Sequence, residues 1–157
     1  MATIKKDILT FCDMIVRGFK EDKFTLDYSL TSFKDIDSFY DLHSKNGERV
    51  EGGRFSNNLG QILFALGSYI DQTIIKIVPG AVWEIDENDP EGEINAMLKL
   101  PDGTIVWPMQ RTINRFRNGE EDGIYIYGYY ILQTYVNIEK LLEQEQSKRN
   151  KKPWWKF

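Results

Sequence analysis

The stretch EINAMLKLPDGTIVWPMQRTINRFRNG, residues 93–119, decides the fold because its hydrophobic period changes midway. In the first half Ile94, Ala96, Leu98 and Leu100 alternate with Glu93, Asn95, Met97 and Lys99, the two-residue period of a half-buried strand. Pro101-Asp102-Gly103 then predicts a turn, with proline setting φ early and glycine free to take a positive value. Thr104 to Trp107 reads as the return strand. Pro108 suits the first turn of a helix, whose apolar side is Met109, Ile113 and Phe116 and whose stop is Gly119. Upstream, AVWEID (81–86) reads as a further strand. The expected fold class is α+β: a three-stranded antiparallel meander whose apolar face is packed against N-terminal and C-terminal helices.

Working outward, Ile4, Ile8, Phe11, Ile15 and Phe19 recur at helical spacing and predict a first helix, ended by Gly18 and the charged KEDK run. Ser32 and Asp35 resemble a capping box ahead of a helix faced by Phe33, Ile36, Phe39 and Tyr40, with Gly47 as its cap or turn. ERVEGGRF (48–55) reads as a loop. Asn57 or Asn58 can cap the next helix, whose apolar stripe is Leu59, Ile62, Leu63, Leu66, Ile70, Ile74 and Ile77 and which stops at Pro79-Gly80. Gly60 and Gly67 share one side of it, where another backbone can approach. A final helix is expected from near Asp122, with Ile124, Tyr127, Ile131, Thr134, Tyr135, Ile138 and Leu142 in one continuous stripe. At 157 residues the chain suits one domain, residues 1–147, with a basic aromatic tail at 148–157.

Net charge is -4, which gives no global field toward nucleic acid or an anionic membrane, though a local patch still can attract either; nucleic acid is not an expected partner. Cys12 is the only cysteine; it sits in an apolar helical pattern as a buried thiol, and neither a thiolate metal cage nor an intramolecular disulfide can form. No apolar run approaches the ~20 residues of a membrane span and no secretory leader is recognisable, so a cytoplasmic location is expected.

The chemistry-bearing residues are sparse. His43 is the only histidine, and Ser44 beside it has no triad context, so it reads as a surface histidine at a helix end. DENDPEGE (86–93) gathers Asp86, Glu87, Asp89 and further carboxylates but fails the calcium-loop test: its glycine is one place late, and Met97 stands where a bidentate Glu belongs. It is either a solvated connection or a docking surface for a basic partner. Arg111 and Arg115 lie one turn apart, to clamp an anion or to pair with neighbouring acids. Tyr125 and Tyr129 either pack on the strands or form an exposed aromatic pair of the kind that anchors interfaces. Trp154 and Trp155, in KKPWWKF, suit a membrane interface, stacking on single-stranded nucleic acid, docking into a partner, or folding back into a groove. No cofactor motif is present, and GGRFSNNLG matches neither phosphate-loop pattern.

Asp27-x-Ser29 before a short helix, Gly67-x-Tyr69, a lone strand Trp83, and a strand leading into Pro108 and an Arg115-bearing helix that ends Asn118-Gly119 form a frame over residues 26–135. That frame resembles a family of small uncharacterised bacterial proteins of unknown function. The resemblance implies an immunity-like or accessory role beside toxin or secretion systems. It makes Asp27, Ser29, Trp83, Pro108 and Arg115 architectural. Asp71 stands one place from the family's acidic pattern, and no active-site residue carries over.

Three functions follow as expectations. The first is a non-enzymatic protein-binding module of a bacterial cytoplasm, with a toxin-neutralising immunity protein as its special form. The second is a small-molecule-binding domain or minor hydrolase using a groove around Trp83, Glu84, Arg111 and Tyr125. The third is a structural subunit that joins a larger assembly through its tail.

Overall fold

The computed structural model describes residues 4–151, with the side chains of Glu93 and Ile94 left aside. Trp154 and Trp155, and with them the expectations for the tail, lie outside the described residues. The architecture is α+β. Its centre is α3 (Leu59–Ile77), whose buried positions run Leu63, Ala65 to Asp71, Thr73 and Ile74, nearly all round the axis. A helix apolar on every side belongs inside, covered on all faces.

On one side lies α1 (Ile4–Glu21), which buries Ile4, Ile8, Cys12, Ile15 and Phe19. Phe11, expected on that stripe, is half-buried and meets Phe64 edge-on at 5.0 Å. Gly18 lies inside α1 rather than ending it, and the helix closes at Lys23, which takes φ 65° while Phe24 N–H reaches back to the Phe19 carbonyl. On another side lies α5 (Pro108–Asn118). Here Gly67 permits the contact its position predicts: a Cβ there would stand 2.9 Å from Met109 Cα. Gly60 meets nothing within 4 Å, so only one of the two glycines serves a close approach. Gly67→Ala is therefore expected to cost about 2 kcal/mol through overpacking against backbone. Gly60→Ala should be neutral or stabilising by up to ~1 kcal/mol. Denaturant midpoints of the two variants check the contrast, and equal effects would contradict it.

Helix α2 (Ser32–His43) buries Phe33, Ile36, Phe39 and Tyr40. The expected capping box does not form: Asp35 accepts from Thr25 N–H at 2.7 Å, ten residues back, instead of from its own helix start. After α2 the chain makes a hairpin, β1 (Ser44–Lys45) with β2 (Glu48–Arg49), where a loop was expected. Asn46 at φ 51° and Gly47 at φ 82° make the tight turn that Asn-Gly favours. Asn58 does stand at the start of α3, at φ 60°, but its side chain bonds none of the helix's amides.

The sheet is β3 (Val82–Glu84), β4 (Met97–Lys99) and β5 (Ile105–Val106), in that order, with both pairs antiparallel. Register places Trp83, Leu98 and Val106 side by side on one face and Val82, Lys99 and Ile105 on the other. Leu98 joins the main core, while Ala96 joins a smaller cluster of Ile4, Ile8, Cys12 and Met109 beneath α1 and α5. The strand expected from residue 93 is shorter than its alternation suggests. Residues Gly92–Asn95 form one helical turn, α4, because Asp89 accepts from Glu91 N–H at 2.9 Å and from Asn95 Nδ2 at 3.0 Å.

The expected single last helix is two: α6 (Ile124–Leu132) and α7 (Ile138–Asn150). Asn137 restarts the helix by accepting from Lys140 N–H at 3.1 Å. Helix α7 runs through residue 148, where the tail was expected to begin, and Arg149 bonds back to Asp27 and Ser29.

Candidate functional site

Arg111 and Arg115 both rise from α5, and carboxylates claim each separately. Arg115, 3% exposed, donates from Nε to Asp37 at 3.0 Å and from Nη2 to Asp41 at 2.9 Å, with its guanidinium over the Tyr40 ring. Asp37 also accepts from Ile124 and Tyr125 N–H, both at 2.9 Å, and so caps α6 from another helix. Arg111 pairs with Asp122 at 3.3 Å, donates to the Gly123 carbonyl at 3.2 Å and lies over Tyr127 at 4.8 Å. Its Nε is buried without a partner among the described residues. Pairing with acids, not a joint anion clamp, is the arrangement found.

The groove expected around Trp83, Glu84, Arg111 and Tyr125 is not assembled. Successive strand residues face opposite ways, so Trp83 turns inward while Glu84 is exposed on the other face. Tyr125 and Tyr129 are half-buried against the core, their rings 6.2 Å apart, with the Lys34 ammonium 4.7 Å above Tyr125. The uncovered aromatic of α6 is instead Tyr130, 61% exposed, which the spacing argument passed over.

Arg111 does line a groove, of about 540 Å³, but with different company. One wall is the sheet edge, with Leu100, Thr104 and Val106; the other is α6, with Ile126, Tyr127 and Tyr130. Tyr135 donates to Asp102 at 2.6 Å at the same groove, and that bond holds the Asp102 carboxyl below the usual range.

The acidic segment 86–93 is tied into the fold. Asp86 accepts from Asn88 N–H at 2.9 Å, Asp89 organises α4, and Glu87 accepts from Ile4 N–H at 3.0 Å at the start of α1. No group of three or more possible metal ligands occurs among the described residues. His43 ends α2, and its Nδ1 accepts from Arg54 N–H at 3.2 Å while burial lowers its pKa. No helix among the described residues is long and apolar enough to cross a membrane.

Asp71, read from the sequence only as standing one place from an acidic family pattern, has surroundings that no spacing foretold. It is fully buried in α3, and neither carboxyl oxygen has a hydrogen-bond partner among the described residues. Burial pushes its pKa well up. Cys12 lies near enough for Asp71 to add to the burial that pushes its thiol up to about 12, and Tyr127 is raised by the same two causes. The chain matches no protein-family model, no curated protein and no solved structure.

Proposed function

We propose that the protein is a non-enzymatic binding module that takes up an extended segment of a partner protein along the groove between β5 and α6. One observation carries the reading: an edge strand, paired on one side only, faces a helix whose Ile126 and Tyr130 are left 43% and 61% exposed. A strand added at such an edge gains main-chain hydrogen bonds, and side-chain pockets on the facing helix select its sequence. Large exposed aromatic and aliphatic groups at a groove wall are the usual anchors of such contacts. Neutralising a toxin, the role implied by the bacterial resemblance, is the special case in which the segment belongs to a toxin. A basic partner would find a second contact at Asp86 and Asp89.

The test is selection of random ten-residue peptides displayed on phage against the whole protein, repeated with an Ile126→Ser/Tyr130→Ser variant of unchanged circular dichroism. The expected result is a consensus that binds the parent at least tenfold more tightly than the variant. Failure to enrich any peptide, or binding indifferent to the two substitutions, would overturn the reading.

A further inference from the structure

A second groove, of about 710 Å³, lies on another part of the surface, between the end of α3, residues 27–29 and α7. Lys76, Lys140 and Lys148 line it. All three are exposed, and none forms an ion pair among the described residues. Two carboxylates line it as well, but both are already engaged. Glu145, 7% exposed, accepts from Leu30 N–H at 2.8 Å, Thr31 N–H at 2.9 Å and Thr31 Oγ1 at 2.6 Å, so its charge is turned into the start of α2. Asp27 accepts from Ser29 and from Arg149. A chain of net charge -4 thus carries a groove with three cations that no carboxylate pairs among the described residues.

The floor has a different character. Ile77, Val136 and Leu141 supply apolar surface, and Tyr28 adds a ring. Tyr28 is held at φ 61°, a conformation a bulky residue seldom takes. Its N–H donates to Tyr69 Oη at 2.7 Å, its ring lies 4.9 Å from that of Tyr69, and the Lys76 ammonium sits 5.0 Å above it. Backbone strain of this kind persists only where the surroundings impose it, and here it fixes an aromatic ring beside an unpaired cation.

Lys140 and Lys148 stand eight residues apart on α7, about 12 Å along its axis. A single small anion cannot reach both. We propose that this groove binds an elongated organic anion with at least two separated acidic groups and an apolar or aromatic body between them. The acidic groups meet Lys140 and Lys148 at the two ends, and the body lies on Val136 and Leu141, beside the Tyr28 ring that the Lys76 ammonium already covers. The groove's size is that of a small-molecule site.

Calorimetric titration of the full chain at low salt tests this, with 4,4′-stilbenedicarboxylate (two carboxylates at the ends of an aromatic body), inorganic pyrophosphate and hexaglutamate as probes and no added metal. The dicarboxylate is expected to bind more tightly than pyrophosphate. Its affinity should fall about tenfold in a Lys76→Gln/Lys140→Gln/Lys148→Gln variant, as expected when three exposed charge contacts are lost together. A Lys5→Gln/Lys20→Gln/Lys45→Gln control changes net charge equally and should lose little. The inference fails if the dicarboxylate binds no better than pyrophosphate, or if the control weakens binding as much as the groove variant. Tighter binding of hexaglutamate at the same three lysines would replace the small ligand with an acidic polypeptide and overturn the proposal. The peptide-selection result at the β5–α6 groove bears on none of these outcomes.

Discussion

Replacing Asp71 with valine is expected to stabilise the protein by about 2–3 kcal/mol at neutral pH, raising Tm by roughly 5–10 °C. The substitution changes volume little and removes two buried oxygens that bond to nothing among the described residues. A carboxyl in this position loses its hydration on folding and recovers none of it through hydrogen bonds. Valine costs a few tenths of a kcal/mol in helix propensity, too little to cancel the gain.

The pH dependence gives the sign. The unfolded chain holds the Asp71 carboxyl near 3.8, and burial raises it well above that in the folded state. Between those two values the folded protein binds more protons than the unfolded one, so stability falls as pH rises, by up to about 1.4 kcal/mol per pH unit. Below 3.8 both states are protonated and this contribution disappears. The advantage of Asp71→Val over the parent should therefore grow between pH 4.5 and 7.5, and urea unfolding at the two values measures it. A variant less stable at both, or a difference that does not change with pH, would show that Asp71 has a partner or a hydration path. Stability spent on such a group is the usual sign of a requirement other than folding. Tyr127, which feels the Asp71 charge, lines the same groove as Arg111.

What could be read from the chain was local. The alternation of Ala96, Leu98 and Leu100 survives as buried positions flanking exposed Lys99, because strand pleating is a property of consecutive residues. The same alternation misled at residues 93–95, where Asp89 side-chain bonds favour a helical turn over extension. The continuous stripe from Ile124 to Leu142 spans a break, because a helical repeat persists through a short interruption that keeps its phase; the cue was Asn137 before Ile138. Helix-start chemistry was legible only where the cap is a near neighbour. Glu145 caps α2 from more than a hundred positions away, and no spacing rule joins residues so distant. For the sites, residue types were visible and partners were not. Arg115 stood out, but its burial between Asp37 and Asp41 follows only from how α2 meets α5. Tyr130, Lys76, Lys140 and Lys148 looked like ordinary surface residues until folding left them uncovered or unpaired on a groove wall.

Asp37→Ala should be the most destabilising of the substitutions considered, at about 3 kcal/mol. One carboxylate does two jobs at the meeting point of α2, α5 and α6. It balances the Arg115 guanidinium, whose side chain is 4% accessible, and it accepts the first two free amides of α6. Alanine leaves a buried cation with only Asp41, whose side chain is 54% accessible and whose pairing water weakens. It also leaves two amides at a helix start unbonded, a loss of about 1 kcal/mol or more by itself. Asp37→Asn separates the two jobs: its amide oxygen can still accept from α6, but its charge is gone, so it should cost less than alanine. Adding Arg115→Met to Asp37→Ala removes the stranded cation and should recover part of the loss, since an apolar replacement of a buried pair is often neutral. Chemical denaturation of the three variants measures the hierarchy. If Arg115→Met recovers nothing, the cost lies in the α6 cap, and the ion pair contributes little to holding the three helices together.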